Sequence, residues 1–216
     1  GLRLFARHDF DRYQFTLPHF APGTEQYNEN RVSVGGQLLK TMGRVFRFNV
    51  LGELTTTGKE WGEFNVEGNG SLNIPLRRDS LSMHVRGFVR NDAGSFYYRH
   101  YHAKHFWWDN DDMSKIIHTR IEGKFGYENT KTTVRVAFDN IKNHTFFAMG
   151  YNVTDDFGRT GNTLSVVQKS GAISLLTLEL QQKLKLGPLH WDNVITYQKS
   201  SDDVALPVPD LNIYTN

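Results

Sequence analysis

From Ser174 onward the chain keeps a period of two. Ser174, Leu176, Leu178, Leu180, Gln182, Leu184 and Leu186 fall on one side, and Leu175, Thr177, Glu179, Gln181, Lys183 and Lys185 on the other. One side is mostly leucine and the other mostly polar, which is the mark of a strand with one apolar and one wet face. Leu186-Gly187-Pro188 breaks the run, because glycine reaches unusual dihedrals and proline cannot donate to a ladder. The alternation resumes with Leu189, Trp191, Ile195 and Tyr197 against His190, Asp192, Thr196 and Gln198. The stretch from Ala172 to Gln198 is therefore a long hairpin with a minimal turn. What its leucine face looks at, a protein core or lipid, decides what kind of molecule this is.

The same rhythm recurs along the chain. Val32, Val34, Gly36 and Leu38 alternate with Ser33, Gly35 and Gln37; Phe46, Phe48, Val50 and Leu54 oppose Arg47, Asn49 and Glu53. Phe64, Val66, Leu72 and Ile74 oppose Glu63, Asn65, Glu67, Asn69 and Asn73, and Leu81, Met83, Val85 and Val89 oppose His84, Arg86 and Arg90. Ile117, Ile121, Phe125 and Tyr127 oppose His118, Arg120, Glu122 and Lys124, and Val134, Val136 and Phe138 oppose Arg135 and Asp139. Turns are predicted at Met42-Gly43, Thr57-Gly58-Lys59, Pro75–Asp79 and Glu128–Lys131, and a hairpin loop at Asp92-Ala93-Gly94.

Other stretches are less regular. Leu2–Phe10 reads as a strand and Arg12–Asn30, with Pro18, Pro22 and Gly23, as a loop with short extended pieces. Ser95–Lys104 is rich in aromatics and histidine, and His105–Asp112 reads as a loop. His144–Tyr151 and Leu164–Val167 are weaker strands around a loop at Asn152–Asn162, and Lys199–Asp210 is a longer loop. The count is eleven or twelve strands and no helix.

Many of these strands run past ten residues, where a soluble domain averages about five or six. A tilted strand crossing a bilayer needs about nine to eleven. No apolar run in the 216 residues approaches the ~18–20 that a spanning helix requires. The expected fold is all-β: an up-and-down antiparallel transmembrane barrel, of which residues 1–216 form one incomplete domain. Both ends read as truncated, because Gly1 opens inside an alternating segment and Leu211–Asn216 looks like a strand just begun. Trp61, Phe106, Trp107, Trp108, Tyr127, Tyr151, Trp191 and Tyr197 sit near strand ends or turns, where membrane barrels carry aromatic girdles.

The charged residues on the polar sides are the candidate lumen lining: Arg47, Glu53, Glu63, Glu67, His84, Arg86, Arg90, His118, Arg120, Glu122, Lys124, Arg135, Asp139, Glu179, Lys183 and Asp192. Both signs are interspersed, as in a hydrated pore that pairs charges across strands. Removing Arg86, Arg90 and Arg120 together is expected to lower anion preference. Leu176, Leu178, Leu180 and Leu184 would then face lipid, with Glu179, Gln181 and Lys183 inside.

Other chemistry is thinly represented. His100-x-His102 places two imidazoles on one side of a strand, near His105, Asp109, Asp111 and Asp112. A third ligand is not fixed by that spacing, and no calcium-loop pattern is present. No metal and no cofactor is expected. Phosphate-loop, His-Glu-x-x-His and nucleophile-elbow motifs are missing, so no enzyme is expected. The absence of cysteine does not choose a compartment. A net charge of +2 does not point to nucleic acid.

Three segments carry a family resemblance: FYYRHYHAKHFWWDNDD at 96–112, LHWDNVITYQ at 189–198 and LPVPDLNIYTN at 206–216. They resemble the putative porins of Bacteroidetes. That resemblance implies a channel in the bacterial outer membrane, with lipid and small hydrophilic solutes as partners, and it transfers no catalytic or ligand residue. The competing reading is a soluble or surface β-rich protein, structural or glycan-binding, with Trp107 and Trp108 in a ligand cleft.

Overall fold

The computed structural model describes residues 1–17, 22–43, 45–76, 79–153 and 159–216. In chain order the strands are β1 (Leu2–Thr16), β2 (Thr24–Lys40), β3 (Phe46–Thr55), β4 (Phe64–Leu76) and β5 (Asp79–Asp92). A single helical turn, α1 (Phe96–Arg99), leads into β6 (His100–His102) and β7 (Trp107–Asp109). Then come β8 (Ile116–Tyr127), β9 (Thr132–Val153), β10 (Arg159–Leu186), β11 (Leu189–Ser200) and β12 (Leu211–Thr215). Ten strands form one antiparallel sheet in the order β1-β2-β3-β4-β5-β8-β9-β10-β11-β12, and β6 pairs with β7 separately. The sheet is open, with β1 and β12 at its edges.

Several elements depart from the sequence reading. Arg12–Asn30 is not a loop: β1 and β2 stay paired to the register Thr16↔Thr24. Asp92-Ala93-Gly94 does not close a hairpin, because β5 pairs with β8 across an insert at 93–115. That insert holds the helical turn, and part of the expected loop at His105–Asp112 is strand β7. His144–Tyr151 and Leu164–Val167 are not separate strands but the outer halves of β9 and β10. Pro75 still pairs with Ser80. Pro18, Arg44, Arg77, Arg78 and the middle of the Asn152–Asn162 loop lie outside the described residues.

The registers sort every wall residue onto one of two faces. In neighbouring rungs, Val66↔Val89, Val89↔Thr119, Ile121↔Phe138 and Phe138↔Leu176 share one face, and Asn69↔Arg86, Arg86↔Glu122, Arg120↔Asp139 and Arg135↔Glu179 the other. The burial of these faces is reversed from that of a water-soluble sheet. Along β9 and β10, Ala137, Asp139, Ile173 and Thr177 on the polar face are at most 4% exposed, while Val136, Phe138, Leu176 and Leu178 on the apolar face are 36–45% exposed. The charged side is folded inward and the aliphatic side outward. Gly35 marks how tightly the polar side is drawn together. A Cβ there would lie 2.4 Å from the Phe5 ring, and through this gap Arg7 reaches from β1 to Glu53 on β3 at 2.8 Å.

The two ends of the sheet differ. The short stretches between β2 and β3, β4 and β5, β8 and β9, and β10 and β11 join strand ends on one side, and the longer ones between β1 and β2, β3 and β4, β5 and β8, and β11 and β12 join strand ends on the other. At the long-loop end two ribbons outrun their neighbours. β1 and β2 continue as a pair beyond Ser33, the last β2 residue partnered by β3. β9 and β10 continue beyond Lys142, the last β9 residue partnered by β8. On the first ribbon the side continuous with the apolar face becomes polar, with His8 bonded to Asn30 and Arg12 to Gln26. Among the described residues Phe10 alone keeps a large apolar side chain on that side of the projecting ribbon, so the apolar band thins where the ribbon leaves the wall.

Candidate functional site

The sixteen charged residues singled out from the sequence share one side. Fifteen lie in strands at positions that alternate onto the polar face, and Glu63, at the head of β4, borders the same small cavity as Arg7, Glu53, Asn65 and Asp92. Most are tied together. Glu67 accepts from Arg86 Nε at 2.9 Å and Arg90 Nη2 at 3.2 Å, and Arg90 lies 4.4 Å above the Phe88 ring. Buried Asp139 accepts from His118 at 2.7 Å and from Arg120 at 3.2 Å. Arg120 also holds Glu122 at 2.6 Å, and Arg135 joins Glu122 to Glu179. Lys183 faces Asp192 at 3.8 Å, and Glu63 accepts from the Ala93 amide.

Arg86, Arg90 and Arg120 are thus balanced where they stand. Arg47, His84 and Lys124 are not: among the described residues they have neither a salt bridge nor a side-chain hydrogen bond, and all three are exposed on the polar face.

The sequence reading missed a second polar set on the projecting parts. Arg31 binds Asp9 at 3.1 Å, and Arg7 binds the same carboxylate at 2.9 Å. Their signal was the odd-numbered run Arg3, Arg7, Asp9, Asp11, set against Leu4, Ala6 and Phe10; the contrast is lost only from Arg12 on, where the sequence reads as loop.

The insert at 93–115 is clasped between the two ribbons. Phe96 stacks on Tyr13 of β1 with centroids 3.7 Å apart and planes 3° apart, while Tyr98 meets Phe147 of β9 at 4.9 Å. β1 and β9 are six places apart in the sheet, about 29 Å if it were flat. One helical turn, about 10–12 Å across with its side chains, spans them only because the ribbons converge over the polar side. Buried Arg99 forks onto Glu29 at 2.7 and 3.0 Å and lies 3.6 Å from Glu60. Gln168 of β10 exchanges two hydrogen bonds with the Ser114 backbone.

The histidine pair lies inside this insert. His100 Nδ1 is 2.9 Å from Asp109, His102 Nε2 is 3.0 Å from the same carboxylate, and His102 Nδ1 meets Glu25. Trp107 lies flat on His102, and Trp108 stacks on Tyr101 beside Phe147. Phe106, Trp107 and Trp108 therefore belong to the insert and not to a girdle, whereas Tyr127 and Trp191 lie on the apolar face near the short-turn end. Among the described residues no group of three or more His, Cys, Asp or Glu is arranged to hold a metal ion.

Burial works to raise the Asp109 carboxyl, but hydrogen bonds from His100 and His102 outweigh it and hold it below the usual range. The Lys59 ammonium likewise lowers Asp111. A carboxylate lowered in the folded state stabilises above its ordinary value of about 4 and loses that contribution as pH falls through the lowered one. The internal packing of the insert, where Asp109 holds His100 and His102, is therefore expected to loosen on acidification below about pH 4, read as a change in tryptophan emission that Asp109→Asn flattens. A signal unchanged down to about pH 2.5 would count against this account.

Among the described residues no helix is long and apolar enough to cross a membrane; a β wall crosses with strands. A sheet of long strands, apolar outside and charge-paired inside, defines the wall of a transmembrane β-barrel. The chain belongs to the putative porin family, whose model matches residues 1–216. No curated protein and no solved structure matches it.

Proposed function

We propose that this chain forms part of an outer-membrane porin that passes small hydrophilic solutes by passive diffusion, with no covalent chemistry. The observation that carries this reading is the reversed burial of the two faces. Water is the only solvent that solvates the charged network on the inner side, and lipid tails are the solvent that tolerates an outer side made mainly of aliphatic and aromatic residues. The dimensions agree. Outward residues of β8 run from Ile117 to Tyr127, and ten steps of ~3.3 Å tilted by ~40° give a band of about 25 Å, the height of a barrel's apolar belt. Short turns at one end and longer loops at the other match the inner and outer ends of bacterial barrels. The docked insert would then partly cover the outer mouth. A glycan cleft at Trp107 and Trp108 has less support, since both rings are stacked within the insert.

Reconstituting the intact protein in planar bilayers is expected to give discrete conductance steps, and proteoliposomes should swell in small sugars. Protein that is folded and membrane-inserted yet silent in both assays would overturn the reading.

A further inference from the structure

The inner charges do not cancel evenly along the wall. In the middle of the polar face Arg86, Arg90 and Arg120 meet Glu67, Glu122 and Asp139, three charges against three. One rung nearer the short-turn end the balance fails. There Arg47 lies opposite Ser71, Ser71 opposite His84, His84 opposite Lys124, and Lys124 opposite Arg135. This is a row of directly facing side chains across five strands with no carboxylate in it until Glu179, which Arg135 and Gln181 already hold. Like charges facing across a sheet are destabilising, and Lys124 opposite Arg135 is such a pair. The neighbouring acids are already engaged: Glu67 and Glu122 each have two arginine partners, and Glu179, which also feels the Lys124 charge, is bonded to Arg135 and Gln181.

What the row lacks, a mobile anion supplies. At ~4.8 Å per strand, Arg47 and Lys124 stand about 14 Å apart with a hydroxyl and an imidazole between them. Beside Arg47 is an open groove of about 290 Å³ bordered also by Asn49, Asn69 and Ser71. A guanidinium fork, an ammonium and hydroxyl and amide donors are the groups that bind small oxyanions. We propose that Arg47, Ser71, His84 and Lys124 form an oxyanion-binding row that makes the pore anion-preferring. This rests on the channel reading for its consequence but not for the binding itself. It also places selectivity on residues other than Arg86, Arg90 and Arg120.

Two measurements separate the claims. The first is thermal stabilisation of the detergent-folded protein by inorganic phosphate, which needs no conductance. Wild type should be stabilised, Arg47→Ser/Lys124→Ser should not be, and Arg47→Lys/Lys124→Arg should retain most of the effect. The second is the reversal potential under a potassium chloride gradient. Coulomb's law in water at ~7 Å gives roughly threefold per cation, so the double serine variant should lower the chloride-to-potassium permeability ratio about three- to tenfold. Arg86→Gln, which also frees part of Glu67, should change it less. Absence of phosphate stabilisation in wild type, or a conducting double variant with unchanged selectivity, overturns the row. A wild type that binds phosphate but never conducts overturns the channel and leaves the row standing.

Discussion

Replacing Leu178 by arginine is expected to prevent assembly into lipid while leaving the local backbone register intact. Leu178 sits in the part of β10 that belongs to the wall, between Val136 of β9 and Tyr197 of β11 on the apolar face, and is 40% exposed. In water, a position that open would accept arginine within about half a kcal/mol. At the midplane of a bilayer the same side chain costs ~2–4 kcal/mol, which is roughly 30- to 900-fold in the folding equilibrium. The comparison variant is Gln181→Arg, three residues on but facing the wide polar groove beside Lys183. It should fold and insert like wild type. The measurement is the fraction of heat-modifiable, protease-resistant protein after refolding into vesicles. Equal yields for the two variants would mean that the leucine face does not meet lipid.

That experiment tests orientation, which the alternation alone left open. Period two tells which residues share a side, and it does so well where bulky apolar and charged residues take turns, as in Phe46-Arg47-Phe48-Asn49. It cannot tell which side is crowded. The register shows this: Asp139, Thr177 and Ile173 are packed while Leu176 and Leu178 are open.

The signal fades for physical reasons in two places. On the β1–β2 ribbon both sides leave the apolar band, so Arg12 and Gln14 stand on the side that Leu2 and Leu4 hold in the wall, and Arg12–Asn30 reads as loop. In the insert, Phe96–Arg99 makes one turn, too short for a 3.6-residue period to register. The turn residues Asp92-Ala93-Gly94 announce a reversal but carry no information about the partner, and β5 finds β8 only after the insert has been passed. Tyr13 and Phe147 were each visible as aromatics. Their convergence on α1 was not, because it depends on the closing of the ribbons.

Arg99 is the clearest case of a residue hidden from sequence, and Arg99→Ala is expected to release the insert without unfolding the wall. Its carboxylate partner Glu29 is 70 positions away, so no local spacing links them. The guanidinium and both carboxylates are nearly closed to solvent, with side chains 10%, 9% and 4% exposed for Arg99, Glu29 and Glu60. One oxygen of Glu60 has no hydrogen-bond partner among the described residues. Removing the cation strands two buried acids, and breaking one side of a buried pair costs ~3–5 kcal/mol. That energy falls on the insert, whose other anchors are ring stacks, a few hydrogen bonds, the His102–Glu25 contact and the exposed Lys59–Asp111 pair, and not on the ladders of the wall. Hydrogen exchange at 93–115 should rise sharply while the β4, β5 and β8 amides stay protected. Arg99→Lys should fall between, because an ammonium cannot reproduce the two-pronged contact. The triple change Arg99→Met, Glu29→Gln, Glu60→Gln should restore much of the docking, since a neutral set leaves no charge uncompensated. If the insert covers the outer mouth, Arg99→Ala should also raise single-channel conductance or its fluctuations. Protection at 93–115 equal to wild type would show that the stacks of Phe96 and Tyr98 hold the insert without the ion pair.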